Sequence, residues 1–120
     1  MKRLVTMLSA GVVALMLSSG AWASEDHHVD AAQIAAAKTP GDHEAIAKSY
    51  DAEAIAADEK AAAHEAMART YRVGGAPKGN HRAMAGHCNR LVKLYRSVAK
   101  ENRLLAAGHR QMAKECCSEH

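Results

Sequence analysis

The sequence predicts an all-α fold: an antiparallel helical hairpin with a coiled-coil-like, alanine-rich seam, dimerising into a four-helix bundle. Three observations predict it. Two long stretches, about 40–72 and about 81–116, contain no proline after Pro40 and carry apolar residues at heptad spacing. Between them, Val73-Gly74-Gly75-Ala76-Pro77-Lys78-Gly79 is a turn, and so short a connection folds the second helix back along the first. Finally, a shift of 45 positions carries Lys48, Tyr50, His64, Met67 and Ala68 onto Lys93, Tyr95, His109, Met112 and Ala113, so the two stretches are copies of one unit. The same shift lays Gly41 on Gly86 and His43 on Cys88.

Each segment has its own local signal. Met1-Lys2-Arg3, an apolar run from Leu4 to Leu17 and the ending Ala21-Trp22-Ala23 are the three parts of a secretory signal peptide, residues 1–23. The run is short for a bilayer and no stop-transfer flank follows, so no membrane span is expected once the signal is cleaved. The signal is of the bacterial kind and predicts a periplasmic location. Residues 24–38 form a flexible N-terminal segment in which Asp30-x-x-Gln33 resembles a capping box, starting a short helix through Lys38. The hairpin occupies residues 39–120. Thr39 caps its first helix, Pro40 suits the first helical position, and Asp42 follows the cap by three residues. Asn80 is the expected cap of the second helix, inside which Gly86 and Gly108 cost roughly 1 kcal/mol each.

Composition narrows the function. Loss of Lys2 and Arg3 with the signal takes the formal charge from +3 to +1, and there is no basic stripe, which argues against nucleic acid as a partner. The chain has no Phe, and Trp22 leaves with the signal, so the apolar content is largely alanine and the core is small. Domains of this kind are stabilised by a partner chain, a metal or a disulfide. The 3 cysteines are an odd set, which in an oxidising compartment suggests an intermolecular bridge or a functional thiol. Cys116 and Cys117 are neighbours that pair only with strain, and Cys88 lies about 42 Å from Cys116 along one helix. No nucleophile–base set, phosphate-binding loop or H-E-x-x-H motif occurs, so an enzyme is not expected.

A heptad frame fits both copies. In the second helix the a positions are His81, Cys88, Tyr95, Asn102, His109 and Cys116, the d positions Met84, Leu91, Val98, Leu105 and Met112, and the e positions Ala85, Val92, Ala99, Ala106 and Ala113. In the first helix a is His43, Tyr50, Ala57, His64 and Tyr71, e is Ala47, Ala54, Ala61 and Ala68, and the weaker d column holds Ile46, Glu53, Lys60 and Met67. Columns a and d are expected to form the seam, with the alanine column beside it letting the backbones approach.

The donors follow the pattern H-x-x-M-A-x-x-[C/Y], at His64, His81 and His109, so that Met67, Met84 and Met112 each have a histidine three residues before them. Residues at i, i+3 and i+7 share one helix face, but over two turns they form a stripe and not a cage. Donors from the facing helix are needed. A turn centred near Ala76 sets His64, Met67, Met84 and Cys88 together, with His81 and His87 close by. It sets His43, His109 and Met112 together at the other end, with Cys116 in reach. Imidazole, thioether and thiolate are soft donors that favour Cu(I); zinc would accept the His and Cys donors but gains little from methionine. Taken singly, methionine at d is core filler, histidine at a is a polar register device, and Cys88 is a small buried residue. Their repeated combination favours metal.

The signal peptide, the helical hairpin and the H-x-x-M-A repeats between His64 and Cys116 resemble the small periplasmic His- and Met-rich helical proteins of bacteria linked to copper and other heavy metals. The resemblance implies metal buffering, sequestration or resistance, and assigns no individual residue. The alternative is a helical interaction module, such as a periplasmic stress chaperone or adaptor, whose His and Met residues only pack the seam.

Overall fold

A computed structural model describes residues 28–73 and 79–116; the signal segment, the middle of the turn and Cys117 to His120 lie outside the described residues. Three helices follow in order: α1 (Ala31–Ala36), α2 (Pro40–Val73) and α3 (His81–Glu115). No strand occurs among the described residues, and α2 and α3 pack against each other as the long arms of an antiparallel hairpin. At 1.5 Å per residue their 34 and 35 residues make rods of about 51 and 52 Å. Among the described residues no helix is long and apolar enough to cross a membrane.

The helix starts follow from local hydrogen bonds. Asp30 caps α1 by accepting the Gln33 N–H at 2.7 Å. The helix stops at Ala36 and does not reach Lys38, because the Lys38 and Thr39 N–H groups donate instead to Asp42 Oδ2, at 3.0 and 2.9 Å. Asp42 N–H in turn donates to Thr39 Oγ1 at 3.1 Å, which completes a reciprocal capping box at the head of α2. Those bonds, led by the one from Lys38, hold the Asp42 carboxyl below its ordinary value. The expected cap of α3 does not form. Asn80 has helical angles and no side-chain capping bond, and its backbone carbonyl accepts the Met84 N–H at 2.8 Å. Gly79, at φ +130°, makes the entry bend that an L side chain resists.

The seam is made by columns a and e, which corrects the expected a/d pairing. Ala47, Ala54, Ala61 and Ala68 of α2 meet Ala85, Val92, Ala99 and Ala106 of α3, and all are buried. Residues Met67, Met84, Val98, Leu105 and Met112 of column d remain 40–48% exposed. Size explains the difference. Two facing alanine columns let the backbones close until the small side chains touch, and the longer d side chains are turned to the flank. Ile46 is the exception, buried beside α1, where it shares a shallow cavity with Ala36 and Ala37. The segment before α1 is held by Glu53, whose Oε1 accepts the N–H of buried Val29 at 3.2 Å and lies 3.5 Å from His28 Nδ1.

The flank opposite column d is charged. Among its b positions are Glu44, Asp51, Asp58 and Glu65 on α2, and Arg96, Arg103 and Arg110 on α3. Glu65 pairs with Arg96 at 3.2 Å, Asp58 with Arg103, and Arg110 with both Asp51, at 2.7 Å, and Glu44, at 3.5 Å. Such exposed pairs contribute about 0.2–1 kcal/mol each. Their larger consequence is orientation, since an acidic column against an arginine column favours α2 on α3 over α2 on α2. The 45-residue shift converts Asp51, Asp58 and Glu65 into Arg96, Arg103 and Arg110, so the repeat keeps its seam while inverting its flank.

Candidate metal centre

The a residues interleave along the seam, each side chain of one helix lying between two of the other. His43 meets His109 with 3.1 Å between their Nδ1 atoms, and the rings lie 5.4 Å apart. Tyr50 stacks on the other side of His109, with ring centroids 5.7 Å apart. Asn102 and Ala57 fill the middle of the seam, both buried. Beyond them Tyr95 stacks on His64 at 5.6 Å and 11° between planes, and Cys88 takes the next layer, buried. Tyr71 then meets His81 edge-on at 5.6 Å.

This ladder has an internal two-fold. The 45-residue shift exchanges Tyr50–His109 with Tyr95–His64, and it carries His43 onto Cys88. Two equivalent layers result, about 31 Å apart by helical rise between His43 and His64. The turn-distal layer has two imidazoles, and the turn-proximal layer has one imidazole, with the Cys88 thiol in the layer after it.

The seam imidazoles lack ordinary partners. His43 and His109 have only each other at Nδ1, while the Nδ1 atoms of His64 and His81 are buried with no hydrogen-bond partner. A buried polar atom left unpaired costs about 1–3 kcal/mol, so this pattern calls for an account. Burial pushes the His109 imidazole below its ordinary value, and the neighbouring His43 adds to the effect; His109 is thereby kept neutral, the form in which imidazole binds metal. Two nitrogens on one tetrahedral ion at 2.0–2.1 Å stand roughly 3.3 Å apart, close to the 3.1 Å between His43 and His109.

The other expected donors are less gathered. Met67, Met84 and Met112 sit on the flank, 40–46% exposed. Met112 shares an open cavity of about 220 Å³ with His109, Glu101, Leu104, Leu105 and Gly108. His87 is exposed, its Nδ1 2.7 Å from Arg90 Nη2. Cys116 is exposed at the end of α3, its thiol 3.6 Å from the Ala113 carbonyl. Among the described residues no three His, Cys, Asp or Glu side chains converge as a ready group. A complete site requires methionine or donors from elsewhere. The stacking of Tyr50 and Tyr95 on the imidazoles, and the cavity formed by Glu101 and Gly108, were not singled out by donor spacing. The signal for the stacks lay in the a column, where Tyr and His alternate through both copies.

No family model matches the chain, and comparison with characterised proteins and with solved structures finds no match.

Proposed function

We propose that this chain is an exported periplasmic protein that binds a soft metal ion, copper as Cu(I), and serves in buffering, sequestration or resistance. The observation that carries the proposal is the run of seam imidazoles whose Nδ1 atoms find each other or nothing. Buried donors without protein partners are what a metal would satisfy, and the neighbouring thiol and thioethers are soft. His64 and Cys88 serve the proximal layer, with Met67, Met84 and His81 in support. His43 and His109 serve the distal layer, with Met112 beside them. The hairpin dimerises into a four-helix bundle. The ion is cargo, so no catalytic step belongs to this reading.

The test is a Cu(I) titration of the reduced protein against a competing chelator, with Zn(II) in parallel. Retention of Cu(I) at sub-micromolar free metal is expected, and its absence sinks the proposal. One observation favours a second reading, a helical interaction module: the half-exposed apolar d column of α3. In that case aliphatic replacement of His64, Cys88 and His109 leaves stability unchanged or raised and the partner still bound, with no metal involved.

A further inference from the structure

The flank of α3 that faces away from α2 carries a pattern the hairpin leaves unused. Its d residues read Met84, Leu91, Val98, Leu105 and Met112, the same in either direction about Val98. Four of them are 40–48% exposed, and Leu94 and Leu104 beside them are 60% and 56% exposed. Charge on this flank is divided by position. Arg90 lies before Val98, while Glu101 and Glu115 lie after it.

We infer that this face is closed by a second copy of the chain, its α3 antiparallel to the first about Val98, and that each copy sends its His87 into the other's cavity over Gly108. An antiparallel pairing sets Met84 against the partner's Met112, Leu91 against the partner's Leu105, and Val98 on the two-fold axis. It also lays the basic half of each flank along the acidic half of the other, whereas a parallel pairing opposes like charges. The α2–α3 seam gives the register rule, since columns of the same letter oppose one another there, as in Ala54 against Ala99. Applied to the g column, that rule places the partner's His87 opposite Gly108.

The receiving surface fits such an insertion. Nothing lies within 4 Å of where a Gly108 side chain would begin, and the cavity there holds about 220 Å³. A cavity of about 150 Å³ takes a benzene ring, so an imidazole fits. The lining includes the Glu101 carboxylate, His109 and Met112. The apolar stripe from Met84 to Met112 runs about 42 Å at a helix spacing of about 10 Å, roughly 400 Å² from α3 alone. The adjoining side of α2 adds Ala52, Ala56, Ala63 and Ala66, interrupted by Glu53, Glu59 and Lys60. In the dimer the distal layer gains a donor it lacks in one chain: His43, His109 and Met112 come from one copy and His87 from the other. The pairing itself stands on shape and charge, while the role given to His87 rests on the soft-metal reading above.

Sedimentation equilibrium of the reduced, metal-free full chain tests the pairing. A dimer is expected at tens of micromolar, and Val98→Glu, which sets two carboxylates on the axis, should leave a helical monomer. A wild-type monomer, or a dimer that Val98→Glu leaves intact, overturns the pairing. Val98→Cys in a background with Cys88, Cys116 and Cys117 changed to serine guards against a merely misfolded variant: oxidation should give a symmetric disulfide, and its absence overturns the two-fold at Val98. His87→Ala should weaken the distal layer's binding, read as the weaker Cu(I) equivalent of the titration, by about tenfold while preserving the dimer, and Val98→Glu should weaken it equally. Unchanged binding in His87→Ala overturns the shared site. A dimer that binds no Cu(I) overturns the soft-metal reading and the role of His87, and leaves the pairing standing.

Discussion

The two ends of the seam are the same layer built twice. At the distal end His109 lies between Tyr50 and His43, and at the proximal end His64 stacks on Tyr95 with Cys88 in the following layer. The stacks have nearly equal separations, with centroids at 5.7 and 5.6 Å, and differ in tilt, 30° against 11°. The difference is one donor, a nitrogen at position 43 against a sulfur at position 88. A duplicated scaffold has thus held its packing while changing the softness of what it offers, and on the soft-metal proposal the ends differ in preference and not in kind. Thiolate with imidazole favours Cu(I), whereas two imidazoles also suit Zn(II).

The comparison is tested most strongly at Cys88. Replacement by serine should lower Cu(I) affinity by more than about 100-fold, beyond the 10–100-fold that a supporting residue costs, while Zn(II) binding at the distal layer changes little. Competition titrations with both ions check this, and equal losses would show that the two layers are one site. Next in size, His43→Cys gives the distal layer the proximal donor pair. It should add a second tight Cu(I) equivalent per chain, read as the endpoint of the same titration.

A seam change tests whether the layers share one support. Ala99, fully buried, faces Ala54 between the two ends. Ala99→Leu should destabilise the fold by about 1–3 kcal/mol in urea unfolding and weaken both layers together. Val98→Ala, one position away on the flank, should cost less in the hairpin itself.

Protonation separates the ends more gently. Burial keeps the His109 imidazole below its ordinary 6.5, so between the folded and unfolded values the unfolded chain takes up a proton that the folded chain refuses. The stability tied to His109 is therefore complete above about pH 6.5 and is lost as pH falls through the depressed value. Urea midpoints of the metal-free protein should drop across that window, and His109→Gln should flatten the drop. The smallest effect belongs to the charged flank, where Asp58→Ala should cost about 0.2–1 kcal/mol. Asp58→Arg with Arg103→Asp should recover most of that loss.

Much of the hairpin could be read from local chemistry. The Thr39–Asp42 box, the Asp30 cap and the glycine-rich turn are signals spanning a few residues, and each marks an element boundary found in the structure. The site was only partly readable. His43 opposite His109 follows from helix length and turn position, because antiparallel register is simple counting once the turn is placed. Met67, Met84 and Met112 were expected inside the seam and lie on its flank. Asn80 was expected to cap, and its backbone angles do not permit the bond. The acid-to-arginine inversion between copies is written in the residues too, but identities under the 45-residue shift do not mark positions whose charge is reversed.

What the amino-acid order settles here is periodic and local: two long helices, their caps, their antiparallel sense and the repeat that relates them. Which stripe of each helix turns inward was decided only in three dimensions. Heptad spacing marks columns a, d and e as candidates without ranking them. The choice depends on how closely two backbones approach, and that distance is set jointly by alanines of both helices, Ala54 and Ala99 among them, and by the arginines that lock the opposite flank. The same rotation brings the imidazoles of column a together and leaves the methionines of column d facing outward.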